Sequence, residues 1–263
     1  MDMVMDDIAG ELETVRQALP DPFHMREGLS AFFATERVAT LVAGGRTTAD
    51  RLIGYLEGEP TPALAGVAMI VLSRFPWDWF HPRLLAVLRA ADPPLVVALS
   101  SGWWLIDRGE ADLATDIVAA ASPSRPSPLL LLQHPAAKHV KPALAGFAQA
   151  RQSPLSRYAL AAMRYALEPG DAATLRDVSQ WTGDVEAAAL AGLLLLELGS
   201  RDGLAGVRAG LAAPAQAVRE RTYSELGRFL PRPVVEQAGY TPMHSGDAQH
   251  AAIDALLAGV ATR

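Results

Sequence analysis

Any chemistry in this chain centres on the aromatic run between Phe75 and Trp104, where four of its five tryptophans fall. Trp77, Trp79, Trp103 and Trp104 lie there beside Asp78, Asp107 and Arg108. An indole offers a wide π face and a single donor, so such a cluster can recognise a planar or cationic ligand. The same rings can also act as a bulky plug between helices, with their nitrogens bonded to local carbonyls. Both readings stay open on sequence. Asp107 and Asp78 are the candidate catalytic carboxylates. Trp77, Trp79, Trp103, Trp104, Arg108 and the distant Trp181 are the candidate ligand-binding residues.

Other constellations offer less. His134, Lys138, His139 and Lys141 form a small basic patch, while His24, His81, His244 and His250 are scattered. A metal site needs three or four converging ligands, and neither His-x-x-x-His nor a glutamate-rich helix face appears, so no metal or cofactor is expected. Ser100-Ser101-Gly102 lacks the preceding strand that a nucleophile elbow requires. Gly44-Gly45-Arg46-Thr47-Thr48 reads as one helix end followed by the next helix start, since a phosphate loop would need a strand and a lysine. The chain has no cysteine, which excludes disulfides, thiolate metal sites and cysteine nucleophiles.

The elements that would position these residues are helical. Half of the 263 residues are apolar but only 6% are aromatic, which suits packed helices better than β-branched, ring-rich strands. The formal charge of -6 disfavours nucleic acid as a partner, because phosphate affinity comes from lysine and arginine. The apolar patches, such as Leu129–Leu132 and Ala187–Leu196, are too short for a membrane span. With no basic start leading into an apolar run, a cytoplasmic protein of bacterial type is expected.

Helix-start signals recur with a steady period. Pro62, Pro93, Pro123, Pro154, Asp184 and Pro214 are 31, 30, 31, 30 and 30 residues apart. Thr61, Asp92, Ser122 and Ser153 precede four of them, a capping residue followed by proline at the first helical position. Pro82, Glu110, Pro142, Asp171, Asp202 and Pro233 form a second series about 20 residues later. Two helices per period make a helical hairpin, and a hairpin hides its apolar face only by stacking on its neighbours. A weaker copy precedes these, with helices over Leu29–Val42 and Thr48–Leu56. Crowded prolines (Pro126, Pro128, Pro135, Pro142) shorten the first helix of the middle unit to about Leu129–His134.

These features resemble HEAT-repeat proteins, specifically the short bacterial HEAT-like repeats. Ala217-Val218-Arg219-Glu220-Arg221 through Leu226-Gly227 looks like that family's first-helix pattern. The resemblance implies an all-α solenoid of about six to seven hairpin repeats in a single domain over 1–263. In it, 1–28 is an amino-terminal helical cap, 29–237 the repeats and 238–263 a carboxy-terminal cap helix. It further implies a non-catalytic scaffold whose second helices line a concave face for a protein partner. Arg83, Arg89, Asp112, Asp116, Gln149, Arg176, Gln180 and Arg208 would lie on or near that layer.

A second, partial resemblance is to the HEAT-like alkylpurine DNA glycosylases, which place a tryptophan four residues before an aspartate on a helix facing DNA. Trp103 and Asp107 have that spacing, and Trp181 would furnish a second stacking face. The chain lacks the Trp-x-Arg-Arg stretch with which that family grips the backbone. The third alternative is a helical-repeat enzyme or small-molecule binder with a pocket of Trp77, Asp78, Trp79, Trp104 and Arg108.

Overall fold

The computed structural model describes residues 3–19, 25–245 and 248–260, with the side chains of 3–7 and 25–27 outside that description. His24, Gly246 and Asp247 lie outside the described residues. Their regular elements are all helical, apart from one isolated bridge between Ser122 and Arg125. None of their helices is long and apolar enough to cross a membrane. The chain divides into two compact units, residues 1–132 and 133–263.

In the first unit, α1 (Met3–Arg16) packs on α4 (Gly45–Glu57) and α5 (Pro62–Leu72). Between them lie α2 (Met25–Ala34) and α3 (Glu36–Ala43). The single helix expected over Leu29–Val42 is therefore two. The chain breaks at Thr35, whose backbone is extended and whose hydroxyl donates to the Phe32 carbonyl instead of capping α3. The helices α6 (His81–Ala90), α7 (Pro93–Trp103) and α8 (Glu110–Ala120) complete two hairpins with α5. Here α5 packs on α7, and α6 packs between α4 and α8.

The proline-rich stretch that follows departs from expectation. Ser122-Pro123 starts no helix; it closes a turn in which the Arg125 amide donates to the Ser122 hydroxyl. The short helix expected at Leu129–His134 is a 3-10 segment, Ser127–Leu132, and Pro135–Val140 is a second one in the other unit. Proline fixes φ and removes a donor, conditions that a 3-10 turn satisfies as well as an α-helix start.

The second unit contains α9 (Lys141–Gln149), α10 (Leu155–Met163), α11 (Ala172–Ser179), α12 (Val185–Glu197), α13 (Leu204–Leu211), α14 (Gln216–Leu226), α15 (Arg232–Ala238) and α16 (His250–Ala258). Asp184 caps α12 by accepting from the Ala187 amide, as Asp92 caps α7 through Leu95. Pro154 is itself the residue before α10, so Ser153 is no cap; its hydroxyl accepts from Arg157. The helices α10 and α14 both pack on α12, α9 packs on α10 and α11, and α13 joins α12, α14 and α16.

Burial separates two kinds of helix. Ala65–Leu72 of α5 are buried without interruption, as are nine residues of α12. By contrast α6 buries Leu84, Leu85, Val87 and Leu88, and α8 buries Leu113, Ala114, Ile117 and Ala120. That is a single apolar stripe, the mark of a helix with one face open to water. Within the second unit, α12 and the turn that leads into α13 approach so closely that a Cβ on Gly203 would lie 2.1 Å from the Gly192 carbonyl oxygen.

Candidate functional site

The aromatic run is positioned by the connection from α5 to α6 and by the end of α7. Trp77–Trp79 form a 3-10 turn held by the bond from the Phe80 amide to the Trp77 carbonyl. This turn places Phe80 in the core and starts α6 at His81. A Cβ on Gly102 would lie 2.3 Å from the backbone of Met69, so α7 rides directly on α5. The close approach carries the next residue, Trp103, into the interior, where it is 0% exposed.

Trp77 is the hub of the rings. His81 stacks on it at 4.5 Å between centroids, and Trp103 and Phe80 meet it edge-on at 5.9 and 5.5 Å. The Arg108 guanidinium lies 5.3 Å from its ring centre, a cation–π contact. Asp116 on α8 then gathers the charges. Its Oδ2 accepts from Arg108 Nη1 at 2.6 Å and lies 3.6 Å from His81 Nε2, too long for a hydrogen bond. Arg108 also faces Asp112 at 3.4 Å, one helical turn earlier.

Three buried nitrogens of this cluster, Trp77 Nε1, His81 Nε2 and Trp103 Nε1, have no hydrogen-bond partner. Buried donors are normally satisfied, and leaving one bare costs about 1–3 kcal/mol. The cluster therefore holds together by ring packing and the Arg108–Asp116 pair, in spite of its polar atoms. The local carbonyls expected to receive the Trp77 and Trp103 nitrogens do not do so.

The candidate residues divide accordingly. Trp77 and Arg108 are brought together, with Trp103 beneath them. Trp79 leans on Phe75 at 6.2 Å, and Asp78 is exposed on the 3-10 turn. Trp104 is half-buried at the end of α7. Asp107 is exposed in the bend beyond α7, not on a helix with Trp103. With Trp103 sealed inside, that pair lacks the accessible stacking face the glycosylase resemblance requires. Trp181 belongs to the second unit, where it packs over Gly183 in the turn before α12.

Sequence reasoning set Asp116 on the second-helix layer and His81 among scattered histidines, and joined neither to the ring cluster. Two spacings could have found them. His81 follows Trp77 by four residues at a helix start, and Arg108, Asp112 and Asp116 fall four apart along the lead-in and first turns of α8.

The second helices carry a different chemistry. On α6, Arg83 Nε donates to Glu57 of α4 at 2.7 Å and lowers that carboxyl below the usual range. Arg176 on α11 pairs with Asp202, and Arg208 on α13 with Asp254 of α16. Arg89, Asp112, Gln149 and Gln180 are exposed. Across the first helices of the second unit, Glu186 of α12 bridges Arg157 of α10 and Arg221 of α14. Arg164 reaches Glu197 of α12 and Glu225 of α14, the latter at 2.7 Å. That hydrogen bond from Arg164 holds the Glu225 carboxyl below its usual range against the opposing effect of burial.

Near the basic patch, burial pulls the Lys141 pKa down, but hydrogen bonds to Glu168 and Asp171 at 2.9 and 3.0 Å outweigh it and raise the value. Among the described residues, no group of three or more histidine, aspartate and glutamate side chains is arranged to hold a metal. No protein-family model matches the chain, and no curated protein or solved structure does so either.

Proposed function

We propose that the hairpins of this chain are HEAT-like repeats and that it acts as a non-catalytic scaffold, binding a protein partner on its second helices. The observation that supports this reading is the unequal burial within two pairs, α5 with α6 and α12 with α13. The first helices α5 and α12 are enclosed almost all round, whereas α6, α8, α11 and α13 bury one stripe and turn charged residues outward. Within each unit such faces, pinned by Arg83–Glu57 in the first and by Arg176–Asp202 and Arg208–Asp254 in the second, are polar and pre-ordered. Specific, salt-sensitive protein association draws on such surfaces. The aromatic cluster, in this reading, is the plug that fixes one hairpin on the next.

Site-specific photo-crosslinking in the native host tests it. A benzophenone side chain replacing Arg89, Gln149 or Arg208 is expected to capture a discrete protein, while one at Val97 on a first helix captures none. Capture from Val97 alone, or a small molecule retained at stoichiometric level in native mass spectrometry, overturns the reading.

A further inference from the structure

A groove of about 520 Å³ runs across the ends of the first-unit hairpins, where α4 passes into α5 and α6 into α7. Its floor is apolar, formed by Leu56, Pro62, Val87 and Leu95. Its rim is acidic: Glu57, Glu59 and Asp92 border it, and no basic side chain is among its lining residues. Glu57 is engaged by Arg83 from outside the groove, and Asp92 Oδ1 accepts from the Leu95 amide. Glu59 is exposed and, among the described residues, has no ion-pair partner.

The backbone adds to this bias. Two helices, α4 and α6, end at the groove with their last carbonyls outward; because α5 and α7 begin there, the helix dipoles offset one another and the carbonyls act as acceptors only. The helices that begin there, α5 and α7, open on Pro62 and on Pro93-Pro94, which have no N–H. The one early amide of α7 that could donate, Leu95, is consumed by its cap. The groove is thus bordered by carboxylates and helix-end carbonyls and is greasy at its base.

We infer that this groove receives an arginine flanked by apolar residues on an extended segment of a partner protein. Such a group brings five donors and a positive charge to the rim, and its methylene stem lies along the floor. The inference deepens the scaffold reading and rests on it, since α6 contributes to both surfaces.

The test is an amide-shift titration of the whole chain with the peptide acetyl-Leu-Ala-Arg-Pro-Leu-amide, and with its twin carrying glutamate for arginine. The arginine peptide is expected to shift the amides of Gly58, Glu59, Ala90, Ala91 and Leu95. Glu59→Lys should weaken it about tenfold, because it sets like charges together at an exposed rim position. Equal responses to both peptides, shifts centred elsewhere, or indifference to Glu59→Lys overturn the assignment. If the groove stays silent while crosslinks from Arg89 and Arg208 still capture a protein, the groove assignment falls and the scaffold survives. If the groove binds while those positions capture nothing, the partner is held at the groove, and the part of the scaffold reading that places it on the second helices is overturned.

Discussion

In the first unit, the hairpin of α5 and α6 is joined to that of α7 and α8 by rings: Trp77 on His81, on Trp103 and under Arg108. In the second, the first helices α10, α12 and α14 are joined by arginines and glutamates, with Arg157, Arg164, Arg221 and Arg228 meeting Glu186, Glu197 and Glu225. The first joint leaves three buried nitrogens bare. The second leaves only Arg157 Nε and Asp184 Oδ2 without a hydrogen bond, and these two face each other at 3.3 Å. Ring packing tolerates unsatisfied polar atoms because apolar area and dispersion carry it. An ionic joint tolerates little, because each buried charge must be matched. Neighbouring helices can thus be fastened by either chemistry.

The contrast can be broken most forcefully at Trp103. Trp103→Ala should cost about 3–5 kcal/mol, the range for a large ring removed from a closed core. Urea denaturation followed by fluorescence in a Trp181→Phe background reads this directly, since the remaining tryptophans all belong to the first unit. A loss below about 1 kcal/mol would mean that the rings fasten nothing.

An intermediate effect is expected at Arg164. Arg164→Leu leaves Glu197 and Glu225 only the more exposed Arg228 as a partner and should cost about 1.5–3 kcal/mol, the range for hydrogen bonds to charged groups. The pH dependence sharpens the point. Glu225 is held below its ordinary pKa, so its contribution is complete above about pH 4.3 and is lost as pH falls through the lower, folded value. Thermal melts between about pH 5 and 3 should therefore be flatter in the variant than in the parent. Parallel curves would assign the acid sensitivity elsewhere, for instance to Glu57, which Arg83 lowers in the first unit.

The smallest change belongs to His81→Phe. It keeps a ring against Trp77 and deletes a buried nitrogen that has no partner, so stability should move by less than about 1 kcal/mol. A larger loss would show that the 3.6 Å approach to Asp116 matters more than its length suggests.

Much of the helix order was legible because its punctuation is chemical. Asp92 and Asp184 cap where their position before an apolar run says they should, and Pro82 and Pro142 fall in the first turns of α6 and α9. The failures share a cause. Ser122-Pro123, Ser153-Pro154 and Thr35 satisfy the same local rules, but what they begin is set by neighbours that a one-dimensional pattern does not name. At the candidate site, ring types and spacing announced a cluster. That Trp103 faces inward and Asp107 outward depends on Gly102 letting α7 settle on α5, a contact with a segment more than thirty positions earlier.

The near-touching backbones of α12 and the turn into α13 carry a further consequence. Where Gly192 and Gly203 leave no room even for a methyl group, solvent has no path to the peptide groups between them. Amide protons from Leu193 to Leu196 should then exchange with deuterium only when the whole second unit opens, making this pair its slowest element to come apart.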